Sequence, residues 1–412
     1  MDHSTVTTGT LKNGMRWVGT SDLTAKSITF QLLTLAGSRS EPVGKKGMAH
    51  LIEHLFFTGT TKHSASELVQ QIYDYGGDLN ADTGVDSCNY YCKIRSPHLE
   101  RVLAFFSEIL YESTFTPESI QNEVEVVLNE VSMRTGSSVA MLSAVVLPQI
   151  AWVGTPACHP VGGTEQDLRS ITREDVVAFI EQMYQPHTIV LSVAGNIPRN
   201  IEALLEKYFS YHVKSRGECY VPLAEGIFQT QLQTYNVSNG TDDSVVVIAF
   251  PYTTKELEKY IPVLSHVLVD TMSSRLFKRL RSELGLTYAV ISISSELRDV
   301  GLFGFTVTTK NSDANIKACV EESLKILREV AEEGITEVEL SRAKAFIVEG
   351  KLLALEDSGT LARYYGEQVL MGKELVAYNE AIDELRGMGL KEVREAGKRL
   401  FVEERLNLAI IS

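Results

Sequence analysis

The chain has 412 residues, 44% apolar and 22% charged, which excludes wholesale disorder and points to two or three domains rather than one ordinary core. Its net charge of -14 excludes a general nucleic-acid binder, whose basic surface must displace counterions. No apolar run approaches the roughly 18–20 residues of a membrane helix, so no membrane partner is expected.

The five cysteines, Cys88, Cys92, Cys158, Cys219 and Cys319, are scattered and odd in number, which fits a reducing compartment better than a disulfide framework. The start, Met1-Asp2-His3-Ser4-Thr5, has neither the basic nor the apolar stretch of a secretory signal, so a cytoplasmic location is expected.

In chain order, strands are expected at 15–20 and 27–36, followed by a helix from about Gly47 to Phe57. Ser64 and Glu67 form a capping box for a helix that ends at Gly76-Gly77. Strands follow at 78–83 and 87–95. Cys88 and Cys92, four apart on such a strand, face one side and read as packing. Ser96-Pro97 and Thr116-Pro117 each announce a helix, a cap residue followed by proline at the first helical position. Thr172 with Asp175 caps another, and an apolar strand at 188–195 closes the first half.

After a connection at about 197–228 the order recurs: a strand at 244–250, a helix at 255–272, strands near 287–295 and 301–309, a helix at 312–332 and one from Thr336. A strand from Leu406 to Ile411 matches 188–195. Matched halves point to duplication. The expected fold class is therefore α+β, two homologous domains of mostly antiparallel sheet packed with helices. Residues 1–205 form a first, metal-binding domain, 206–228 a connection and 229–412 a homologous domain without metal. Setting Thr116 on Thr336 places Glu123 on Ala343 and Glu130 on Gly350, so the polar features of the first half have no counterpart in the second. The charged segment 372–404 reads as a solvated helical surface.

Residues 50–54 read His-Leu-Ile-Glu-His. On a helix His50 and His54 project from one face and can reach one metal ion. Glu53 lies beside that ion, where a carboxylate can take a proton from a zinc-bound water and return it to a leaving amine. A chance occurrence of this pattern in such a chain has a probability on the order of 1%. The surrounding Met48, Leu51, Ile52 and Leu55 are apolar, and a buried glutamate between two histidines needs a charge partner, most simply a divalent metal. A third protein ligand would leave the fourth position open. The helix from Pro117 supplies Glu123, Glu125 and Glu130. Glu123 and Glu130, seven apart, share a face, and spacing leaves open which of them binds metal and which supports a histidine from behind.

These motifs resemble the pitrilysin/insulinase family of inverted zinc peptidases, in its short two-domain form similar to the subunits of mitochondrial processing peptidase. The likeness extends over the whole chain, including Gly76-Gly77-x-x-Asn80-Ala81 and Gly162-Gly163. It implies one Zn2+ per chain held by His50, His54 and Glu130, with Glu53 as the base and Glu123 in support. It also implies that Asn80 and Ala81 pair with substrate backbone at a sheet edge, and that Phe57 walls the pocket for the residue after the cut bond. In Arg281-Ser-Glu-Leu-Gly-Leu-Thr-Tyr288 it implies an arginine–tyrosine pair that holds substrate backbone and stabilises the tetrahedral intermediate, in the context of Ser274-Arg275-Leu276-Phe277.

Larger members of the family close four such domains like a clamshell around a peptide, so this chain resembles half a shell. Zinc motif and pair occur in one sequence, which favours a homodimer in which the pair serves the partner's zinc site; a heterodimer stays open. Processing peptidases have acidic residues where this chain has Ala140 and Ala144, so the resemblance implies a peptidase of unfolded peptides rather than an arginine-directed one, the alternatives being a catalytic subunit active only with a different partner and a non-catalytic scaffold relative. Six further histidines, His63, His98, His159, His187, His212 and His266, have no ligand spacing, and no phosphate-cradling glycine loop indicates a nucleotide cofactor.

Overall fold

A computed structural model describes residues 5–135, 149, 152–210, 231–235, 242–253 and 255–411. Ala140, Ala144, Cys219, His212 and most of the expected connection at 206–228 lie outside the described residues.

The first half opens with strands β1 (Thr5–Thr10), β2 (Arg16–Ser21) and β3 (Ser27–Thr34), then helices α1 (Met48–Leu55) and α2 (Ala65–Tyr73) and the hairpin β4 (Asp78–Thr83) and β5 (Cys88–Arg95). Helices α3 (Leu99–Glu112), α4 (Pro117–Thr135), α5 (Glu165–Ser170) and α6 (Arg173–Met183) precede β6 (Ile189–Gly195) and α7 (Ile201–Phe209). The second half runs β7 (Gln231–Tyr235), β8 (Asp243–Tyr252), α8 (Lys255–Glu258), α9 (Ile261–Leu268), a π-helical turn Phe277–Glu283, β9 (Thr287–Glu296) and β10 (Gly301–Lys310). It ends with α10 (Asp313–Glu332), α11 (Glu337–Ala354), α12 (Ser358–Leu370), α13 (Tyr378–Gly387), α14 (Leu390–Leu400) and β11 (Asn407–Ile411). Among the described residues no helix is long and apolar enough to cross a membrane.

The strands form two sheets, ordered β1-β2-β6-β3-β5-β4 and β7-β11-β8-β10-β9. Apart from β1, the sheets correspond strand for strand. β2 runs parallel to β6 as β7 runs parallel to β11, and every other pairing is antiparallel. The duplicated α+β architecture is thus present in the hydrogen-bond ladders themselves.

Local chemistry explains the boundaries. Ser64 N–H donates to Glu67 Oε2 at 3.0 Å, and Thr172 N–H to Asp175 Oδ2 at 2.9 Å, so both expected capping boxes close. Ser119 N–H donates to Thr116 Oγ1 at 3.1 Å at the start of α4. Ser96-Pro97 instead makes a single 3-10 turn, Ser96–His98, before α3. The helix expected over 255–272 is broken into α8 and α9, because Pro262 has no N–H to continue a helix and sits in the first turn of a new one. The segment 372–404 is not purely solvated: Ile382, Leu385, Val393, Ala396 and Leu400 are buried, so α13 and α14 each bury one face.

The chain forms two compact units that are not contiguous in sequence. The first comprises Met1–Glu130, Pro160–Val221 and Leu352–Glu380, the second Val131–His159, Pro222–Lys351 and Ala381–Ser412. Helix α12, from the second half of the sequence, therefore packs on the first sheet. Ser192 Oγ donates to the Ala362 carbonyl at 2.6 Å, Gln31 Nε2 donates to the Gly359 carbonyl at 3.1 Å, and the Thr29 and Ser358 hydroxyls meet at 2.8 Å. Gly366 lets the helix approach, since a Cβ there would stand 2.7 Å from Leu33. The first core is centred on Phe30, which packs on Phe106 at 5.1 Å and on Phe209 at 5.7 Å between ring centroids. In the second, Phe401 packs on Phe250 and Phe303 at 5.4 and 6.1 Å.

Candidate metal centre

Helix α1 is driven by its apolar face: Met48, Leu51, Ile52 and Leu55 are fully buried. Its start is set by Gly47, at φ 90°, where a Cβ would come within 2.8 Å of the Gly162 carbonyl oxygen and 3.0 Å of Gly163 Cα. Only glycine fits both that backbone conformation and that approach. The opposite face presents His50, Glu53 and His54.

The two imidazoles meet edge to face with centroids 4.9 Å apart. From α4, Glu130 Oε2 lies 3.5 Å from His50 Nε2 and 3.6 Å from His54 Nε2. Both distances exceed the roughly 2.7–3.2 Å of a hydrogen bond. They match ligands around a tetrahedral zinc, which at about 2.0–2.1 Å from the ion stand about 3.3–3.4 Å from one another. The donor set of two imidazole nitrogens and a carboxylate oxygen suits zinc as well. Among the described residues this is the one trio of such groups gathered so closely.

Behind it, Glu123 Oε2 lies 3.2 Å from His54 Nδ1. That contact leaves Nε2 to face the cluster and raises the pKa of His54, the hydrogen bond to Glu123 being the largest cause. Glu130 thus faces both histidines, whereas Glu123 contacts one of them from behind. Glu125 points elsewhere, into an ion pair with Arg169.

Glu53 turns toward β4, where its Oε2 accepts a hydrogen bond from Thr83 Oγ1. Burial pushes its carboxyl above the ordinary range, opposed by that hydrogen bond. Thr83 was not singled out from sequence; its place on an edge strand five residues before Cys88 carries no signal by itself. A cleft of about 590 Å3 opens beside these groups, lined by Glu53, His54, Phe57, Leu79, Asn80 and Ala81 among others. Strand β4 ends the sheet, with Asn80 opposite Tyr91 and Ala81 opposite Tyr90 on β5 and no described strand on its other side. The Ala81 N–H is taken by Asn80 Oδ1 at 2.8 Å, so a strand added there would displace that contact. Phe57 lines the cleft and also packs against Tyr90 and Phe105, at 6.3 and 6.4 Å between centroids.

Arg281 and Tyr288 belong to the second unit and lie together. Arg281 Nη1 donates to the Tyr288 carbonyl at 2.9 Å, and its guanidinium lies 4.9 Å from the centroid of Phe277. The Tyr288 hydroxyl donates to Asp243 Oδ2 at 3.0 Å, while more than half of the side chain is exposed. Burial, with smaller contributions from Asp243, raises the phenol pKa.

Two family profiles match the chain in succession, "Insulinase (Peptidase family M16)" over residues 17–164 and "Peptidase M16 inactive domain" over 170–347. The chain belongs to the M16 peptidase family. A Bacillus subtilis M16 relative named "uncharacterized zinc protease YmxG" is 29% identical over 410 residues, covering 98% of this chain and 97% of that one. A Rickettsia felis protein, also named an uncharacterized zinc protease, is 28% identical over 378 residues, 90% of this chain and 88% of that one. The M16 fold is shared with the crystal structure of a protease from Helicobacter pylori, at TM-score 0.91, 24% identity and coverage of 99% of this chain and 100% of that one. The profile named for an inactive domain begins after Glu130, so it covers none of His50, Glu53, His54, Glu123 and Glu130.

Proposed function

We propose that this M16 chain is a zinc metalloendopeptidase of unfolded peptides. The observation that supports this most is the meeting of His50, His54 and Glu130 around one point with Glu53 beside it. His50, His54 and Glu130 would hold the ion, which would supply Lewis acidity to the scissile carbonyl and to the attacking water.

The chain's own residues do the rest. Strand β4 receives an extended peptide along its outer edge near Asn80 and Ala81, an arrangement that reads backbone and tolerates varied side chains. Phe57 and its neighbours give the cleft an apolar wall. Glu53, raised in pKa by burial and oriented by Thr83, takes the proton of the attacking water and returns it to the leaving amine. Glu123 holds His54 in the tautomer that faces the cluster. Arg281 and Tyr288 supply donors toward the developing oxyanion, each chain serving the site of a second copy in a homodimer.

The test is a quenched fluorescent peptide with wild type and Glu53→Gln. Wild type should cleave, and the variant should retain its zinc while kcat falls by about 10²–10⁴-fold. A variant with zinc bound and most of its activity kept would remove Glu53 as the base. An inactive wild type with zinc bound would point to a different partner subunit as the missing component.

A further inference from the structure

Helix α1 has no cap of its own, because Gly47 offers no side chain to the first amides. They are met by a carboxylate from outside the helix. Glu41 Oε2 accepts the Gly47 N–H at 3.0 Å and Glu41 Oε1 accepts the Ala49 N–H at 2.9 Å, one residue before His50. Glu41 is only 6% exposed. Burial pushes its carboxyl up to about 8, while the two amides and Lys46 pull it down.

The segment that carries Glu41 is itself anchored. Arg39 forms a buried ion pair with Asp86 at 2.7 Å. The Ser38 and Arg39 N–H groups donate to the Gly84 and Val85 carbonyls at 3.1 and 3.0 Å. Gly37 lies so close to the same turn that a Cβ would fall 2.3 Å from its backbone. This turn joins β4, which carries Asn80 and Thr83, to β5. Residues 37–41 therefore tie the helix bearing His50, Glu53 and His54 to the hairpin bearing Thr83.

We propose that Glu41 is a positioning residue for the metal centre: it fixes the first turn of α1 on the anchored 37–41 segment, and so places His50 and His54 for the ion. This inference rests on the zinc reading above. A cap with only a structural role would affect stability and leave the ion's affinity alone, and the two roles separate in a direct measurement.

Zinc affinity is read by competition with a chromophoric chelator, and melting is read on zinc-free protein. Glu41→Gln keeps the size but turns a donor toward one of the amides, and should weaken zinc by about tenfold or more, as for residues that orient metal ligands. Thr172→Ala removes the cap of α6, which holds no candidate ligand. It should lower the melting temperature and leave zinc affinity unchanged. If Glu41→Gln does not fold, Glu41→Asp, too short to reach both amides, serves in its place with the same expectation. Zinc affinity within twofold of wild type in the Glu41 variant, or an equal loss in Thr172→Ala, would overturn the proposal. Wild type that binds no zinc would instead sink the metal reading itself.

Discussion

The two halves share one sheet topology and differ in what their matched helices carry. In the first, α1 presents His50, Glu53 and His54, and α4 presents Glu123 and Glu130. In the second, α9 reads Ile261-Pro-Val-Leu-Ser-His-Val-Leu268, with Val263, Leu264, Val267 and Leu268 all buried. Its histidine, His266, packs on the Phe346 ring at 4.7 Å, and burial lowers its pKa. On α11 the positions matched to Glu123 and Glu130 are Ala343, fully buried, and Gly350. The fold needs only an apolar face on these helices. Polar groups buried or half-buried in the first half cost free energy unless something compensates their charge, as a bound cation would. The difference teaches that the shared scaffold stands without these polar groups.

The sharpest way to break this contrast is at Glu130. Glu130→Ala should abolish zinc binding and bring peptide cleavage below detection, while the chain stays folded as judged by circular dichroism. Retained stoichiometric zinc would mean that another group is the third ligand.

Next in size is the role assigned to the second half. Arg281→Ala/Tyr288→Phe should keep zinc and lose about 10²–10³-fold in kcat, the cost of removed oxyanion donors. Mixed in equal amounts with Glu53→Gln under subunit exchange, it should recover about a quarter of the wild-type rate, since half of the dimers then hold one intact site of two. No recovery despite proven exchange would place the pair's action within its own chain, or outside catalysis.

A smaller effect probes the helix that the second half of the sequence contributes to the first sheet. Asp357 caps α12 by accepting the Thr360 N–H at 2.8 Å and pairs with Lys93 at 2.6 Å. Although burial opposes it, these partners hold its pKa at about 2. Its stabilisation is therefore complete above the ordinary carboxylate range and is lost as pH falls from about 4 through about 2. Asp357→Asn should remove about 1 kcal/mol of that acid-side dependence, discounted for its half-exposed position, as read from urea midpoints between pH 5 and pH 2. Parallel pH profiles for variant and wild type would count against this assignment.

The smallest is the mirror of the first. A Cβ at Gly350 meets nothing within 4 Å, so Gly350→Ala should raise stability by about 0.5–1 kcal/mol through helix propensity alone. Zinc content should not change; a loss of zinc would show that the matched position is not inert.

Much of this was legible in the sequence, for identifiable reasons. The caps at Ser64, Thr116 and Thr172 are local chemistry, and the His50–His54 spacing is helix geometry, so both survive folding unchanged. The pairing of Glu130 rather than Glu123 with both histidines depends on how α4 meets α1, which no spacing on a single helix encodes. Thr83 escaped because it acts through a long-range contact with Glu53, and Glu41 because it caps α1 from a loop outside the usual cap position; a threonine in a strand or a glutamate in a loop is unremarkable by itself. The placement of α12 escaped for a related reason: a helix near the chain's end gives no local sign of which sheet it covers.

The most direct measurement is the zinc content of purified, metal-reconstituted chain by mass spectrometry, beside a His50→Ala/His54→Ala double variant. The account expects one zinc per chain in wild type and none in the variant. Zero zinc in the wild type, or one zinc retained without the two histidines, would contradict it.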